Sequence, residues 1–133
     1  MKPYQAVGWT LLNTSAVTAI VSTRVWHAMR PATDTLPSIN YFELVGVRAN
    51  GIESQPYSIN CRAATPGGAR DLARVVLNVF TGTSGTGVYG TQNGFDIARA
   101  SLRADNGLTP EPTEGVYNAP VDVLLVYSVD TVS

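Results

Sequence analysis

The chain has 133 residues, net charge −1 and one cysteine, Cys61, which suits a single stapleless domain and excludes an intrachain disulfide or cysteine-based metal site. A net charge of −1 gives no general pull toward nucleic acid or acidic lipid, and charged residues make up only 14%, against about 25% in ordinary soluble domains. With 44% hydrophobic residues the chain is not disordered, and such a composition suggests that some surface is hidden against other subunits.

In chain order, Pro3 can open a helix in which Tyr4, Val7, Gly8, Leu11 and Leu12 share a face, ended by Asn13 and Thr14. Ser15 is expected to cap a short second helical turn through Val17, Ile20 and Val21. Arg24 to Met29 reads as extended, and Pro31 to Pro37 as a loop. Ser38 to Val45 is a strand rich in β-formers, apolar on both faces, with Glu43 as its one charge. Asn50–Gly51 then sits where a type I′ turn would place it, so Gly46 to Gln55 reads as a projecting hairpin, with Pro56 opening the returning strand.

Tyr57, Ile59, Cys61 and Ala63 alternate with Ser58, Asn60, Arg62 and Ala64, the period of a half-buried strand. The period then changes to that of a helix: Ala69, Leu72, Ala73, Val76, Leu77 and Phe80 form one apolar stripe. Thr65 reads as its N-cap, Pro66 as its first residue and Gly82 as its stop. Val75 and Val79 form a second apolar row, leaving Arg70, Asp71, Arg74 and Asn78 a narrow polar face. Either another element of the chain covers that row, or another subunit does. Thr81 to Gly94 is a Gly/Thr/Ser-rich loop. Phe95 to Ala104 is a strand whose alternation breaks, repaired by a bulge near Ala98–Arg99. Asp105 to Asn118 is a second long loop. Val121, Val123, Leu125, Tyr127 and Val129 form the closing strand's apolar face. The predicted fold is α+β: a mostly antiparallel sheet of about four strands, two main helices on one face, long loops and a projecting hairpin.

Reaction chemistry is hard to find. Gly85-Thr-Gly87-Val-Tyr-Gly90 matches the dinucleotide-binding pattern, but that function needs a strand before it and a helix after it, and here the order is helix, loop, strand. His27, the only histidine, lies beside Trp26 and reads as a surface or packing residue. Glu111 and Glu114 stand three apart in a Pro-rich loop, and Asp71 with Arg74 makes a modest helix pair. Basic residues are scattered among acids and are nearly all arginine, which suits bidentate pairing across protein interfaces better than a diffuse phosphate-binding surface. The expectation is no enzyme, no cofactor and no metal. No apolar run approaches the ~18–20 residues of a bilayer span. The start, Met-Lys-Pro-Tyr-Gln, lacks the apolar core of a signal peptide, so a cytoplasm-like compartment is expected.

The order of elements resembles that of the tail completion or tail terminator proteins of long-tailed phages and gene transfer agents. The likeness spans nearly the whole chain. It rests on the opening helix to Leu12, the Ala16-Val-Thr-Ala-Ile-Val-Ser-Thr-Arg-Val segment, the loop into Leu36-Pro-Ser-Ile-Asn-Tyr, the hairpin, the strand–helix unit from Tyr57 to Val76, and the closing Ala119-Pro-Val-Asp-Val-Leu-Leu-Val-Tyr strand. This resemblance implies a homohexameric ring in the tail-neck region of a virion, assembled in the host cytoplasm. The ring would sit on the tail tube protein's last ring, end its polymerisation and meet the head-side connector or stopper. DNA would pass through the lumen without sequence-specific binding, and no membrane is involved. A closed ring joins one patch to a different patch on the next copy. The expected halves are the hairpin, with Arg48, Asn50, Ile52 and Glu53, and the helix, with Arg70, Arg74, Val75 and Val79. Another head–tail joining or tail-tube protein is the near alternative, and a small ligand-binding domain the distant one.

Overall fold

The computed structural model describes residues 3–28, 35–49, 51–81, 90–92, 95–97, 99–105, 109–110 and 115–128. Pro3 opens helix α1 (Pro3–Leu12), where its missing N–H costs no hydrogen bond. The buried stripe of α1 is Ala6, Val7, Thr10 and Leu11, whereas Leu12, expected on that face, is 40% exposed. Thr10 is tolerated inside because its hydroxyl donates to the Ala6 carbonyl at 2.8 Å. Helix α2 (Ser15–Val21) is preceded by an extended N-cap at Thr14, so Ser15 is its first residue rather than its cap. Strand β1 (Val25–His27) then runs parallel to β2 (Ser38–Glu43), with Val25 opposite Ile39 and His27 opposite Tyr41.

The hairpin forms where Asn50–Gly51 predicts it. β3 (Val47–Ala49) and β4 (Ile52–Ala63) place Ala49 opposite Ile52, leaving a two-residue turn, and Gly51 has φ +77°, which a type I′ turn requires. The returning strand, however, begins at Ile52 rather than Pro56. Pro56 is accommodated inside β4 because the facing edge is interrupted between β2 and β3. Leu44 donates its N–H to the Pro56 carbonyl at 2.9 Å. The return bond that proline cannot make is replaced by the Gln55 side-chain amide, which donates to the Leu44 carbonyl.

Helix α3 (Pro66–Thr81) starts as expected, with the Gly68 N–H donating to the Thr65 hydroxyl at 3.0 Å. The expected featureless stretch after it contains a small hairpin instead: β5 (Gly90–Gln92) pairs with β6 (Phe95–Ile97). The strand expected over 95–104 is thus divided between β6 and β7 (Arg99–Asp105), and the register shift falls between Leu102 and Ala104 rather than near Ala98–Arg99. Inside the second long loop, β8 (Thr109–Pro110) pairs with the start of β9 (Tyr117–Ser128). Met29 to Asp34, Asn50, Gly82 to Tyr89, Asn93, Gly94, Ala98, Asn106 to Leu108, Glu111 to Glu114, Val129 and Asp130 lie outside the described residues.

The main sheet runs β1-β2-β4-β9-β7, with β3 added to β4 and β8 to β9; only the β1–β2 pair is parallel. The fold is α+β, with three helices and five strands on the main path among the described residues. β4 and β9 pair along all twelve residues of each. Directly opposite residues share a face, so Ile39, Tyr41, Tyr57, Ile59, Cys61, Ala119, Val121, Val123, Leu125 and Tyr127 form one continuous apolar sheet face. α3 closes on it through Ala69, Leu72, Val76 and Phe80, each 0% exposed. α1 and α2 extend the same core through Val7, Leu11, Val17 and Val21. The opposite sheet face is polar at its centre, with Ser58, Asn60, Arg62, Asn118 and Asp122.

Candidate functional site

At the hairpin end of the sheet, the helix-side face changes from apolar to ionisable. Register explains which groups meet: Glu43 stands opposite Tyr57, and Glu53 opposite Tyr127, so all four point to the helix side. The parallel β1–β2 pair sets His27 beside Tyr41 on that face. α1 then lays Tyr4 on the imidazole, with ring centroids 4.2 Å apart and planes within 10°. The His27 Nε2 lies 2.5 Å from Glu43 Oε1. Across the opening, Arg48 Nη2 donates to Glu53 Oε2 at 2.8 Å, and the Tyr127 hydroxyl hydrogen-bonds the same carboxylate. Tyr4, His27, Glu43, Arg48, Glu53, Gln55, Tyr57 and Tyr127 line an open cavity of about 320 Å³.

The electrostatics follow from burial beside two carboxylates. Burial, with Glu43 adding to it, pushes the Tyr41 hydroxyl up to about 12, although a backbone hydrogen bond from Gly8 works the other way. Tyr57 and Tyr127 are pushed up as well, first by burial; Tyr57 then feels Tyr127 and Glu43, and Tyr127 feels Glu53. The hydrogen bond that Arg48 donates to Glu53 holds its guanidinium even more firmly protonated. All three phenols therefore stay neutral donors at physiological pH. The lining residues include no serine, threonine or cysteine, and among the described residues no group of three His, Cys, Asp or Glu could hold a metal.

Of the residues singled out in the sequence, the fold brings Arg48 and Glu53 together. Ile52 is 52% exposed beside them, with Val45 at 93% and Val47 at 66%. Asn50 lies outside the described residues. Arg70 and Arg74 are exposed on α3, while Val75 and Val79 are half-buried against the core, so the second row is covered in part by the chain itself. No hydrogen bond or ion pair among the described residues links Arg70 or Arg74 to the hairpin. Sequence reading missed the cavity; His27, expected as a surface or packing residue, does stack on Tyr4, and its Nε2 also reaches Glu43. A signal was present: Glu43 has the parity of Ile39 and Tyr41, which puts a charge on the core face of its strand. The glycine pattern ends at Gly90 in β5, so a strand and not a helix follows it.

No protein-family model and no curated protein matches the chain. Among solved structures, a chain from "Virion of native gene transfer agent (GTA) particle" superposes with a TM-score of 0.67, covering 96% of this chain and 95% of that one at 12% identity. The two chains share a fold. Because the likeness covers both from end to end, it embraces the helices, the long β4–β9 ladder and the hairpin together. No described helix is long and apolar enough to cross a membrane.

Proposed function

We propose that this protein is a non-enzymatic structural component of a phage or gene transfer agent virion, and specifically a tail terminator. In this reading six copies close into a ring on the last ring of the tail tube, end its polymerisation and meet the head-side connector, with DNA passing through the lumen. The observation that carries the virion reading is the end-to-end likeness of fold to a chain of a gene transfer agent virion. The exposed apolar group Val45, Val47 and Ile52 supports a subunit contact at the hairpin, since water-exposed clusters of this kind mark interaction sites. A ring uses two different patches per copy, and the hairpin and α3 are the two candidates.

Light scattering on the purified protein, followed by electron microscopy alone and with tail tubes, tests this. Single six-fold rings that cap tube ends are expected. Self-stacked long cylinders would indicate a tube protein, and a monomer at high concentration that ignores tubes would end the reading. Ile52→Glu, at an exposed position, should shift rings toward monomers without changing the melting temperature.

A further inference from the structure

We infer that the cavity at the hairpin end is the receiving half of the subunit contact, and that it takes an arginine from the Arg70–Arg74 ridge of α3 on the next copy. This deepens the ring reading and rests on it. The cavity's own chemistry selects a cation. Two carboxylates, Glu43 and Glu53, face the Arg48 guanidinium and the His27 imidazole. The Glu43 side chain is 41% exposed and keeps acceptor capacity beyond its bond to His27. A volume of about 320 Å³ is at the low end of the ~300–1,000 Å³ of ligand pockets, enough for one long side chain.

Among the described arginines, the free exposed ones point to the occupant. Arg24 is spent on the Pro37 and Ile20 carbonyls, Arg48 on Glu53, and Arg62 is buried beside Ser38. Among arginines whose side chains are described, Arg70 and Arg74 are the exposed pair with no acceptor among the described residues. They stand four apart and so form one ridge along the helix. A ridge that carries two guanidiniums and a cavity that carries two carboxylates are patches that can complement each other in a closed ring.

The test uses two full-length variants. Arg70→Glu with Arg74→Glu reverses the ridge, and Glu43→Arg reverses the cavity. Each alone should fall to monomers at concentrations where the wild type is a ring, a loss of at least about tenfold in association. Mixed one to one, the native ridge of one meets the native cavity of the other and the two reversed surfaces meet at the next junction, so rings of alternating copies should re-form. Glu43→Gln, which keeps the shape of the side chain, should weaken rings less, and circular dichroism checks that all variants fold. Wild-type rings that persist in both variants would overturn the cavity contact while leaving the ring standing. Folded variants that stay monomeric when mixed would overturn it too. A monomeric wild type would end both proposals.

Discussion

Gly8 is a residue whose identity follows from one neighbour. A Cβ placed there would come 2.5 Å from the Tyr41 hydroxyl oxygen. That hydroxyl cannot swing aside, because the ring is 4% exposed and donates to the Tyr4 carbonyl at 2.8 Å. In an open helix Gly→Ala stabilises by up to ~1 kcal/mol; here steric overlap should reverse the sign. Gly8→Ala is expected to destabilise by about 1–2 kcal/mol in denaturant unfolding, and a gain in stability would contradict the packing. None of this was legible in the chain, since Tyr41 is distant in sequence from Gly8 and the helical pattern alone treats position 8 as one more apolar site. His27 shows the same limit: its stacking on Tyr4 and its bond to Glu43 each depend on the sheet register.

Elements whose signals are local were read correctly from sequence. The period change between Ala63 and Ala69 locates the end of β4 and the start of α3, and Thr65–Pro66 supplies the cap and first residue. Thr65→Ala removes the acceptor for the Gly68 N–H and should cost about 1 kcal/mol of stability. Thr65→Ser should restore most of it in thermal melts, whereas equal effects of the two would mean the cap bond is unimportant. Where an element depends on its partner, sequence did less well. Pro56 reads as a strand start because it lacks an N–H, yet β4 passes through it once Gln55 supplies the donor. The break in alternation after Ile97 marks the junction of two strands in two sheets, not a bulge in one.

Over the whole molecule, burial of phenols makes stability depend on alkaline pH. Tyr41, Tyr57 and Tyr127 all have pKa values raised in the folded chain. The unfolded chain ionises them from about pH 10, while the native fold resists, so their contribution is complete below about pH 10 and is lost as pH rises toward and past about 12. With three such groups the loss approaches about 4 kcal/mol per pH unit in that window. Melting temperature should therefore be flat up to about pH 9.5 and fall steeply above it, with tyrosinate absorbance rising together with unfolding. Tyrosinate appearing at its full amplitude in the folded protein would show that these rings are not enclosed as described.

By itself the sequence determined what local periodicity and turn chemistry control: an α+β fold, the strand–helix unit from Tyr57 to Phe80 and the Asn50–Gly51 hairpin. These depend on residues a few positions apart, so the signal lies within a short window. Tertiary structure alone decided how β1 joins the sheet, how far β4 and β9 run together, and that Tyr4, His27, Glu43, Glu53 and Tyr127 meet around one cavity. Those juxtapositions come from registers between strands far apart in the chain, where a one-residue shift would turn every side chain to the other face.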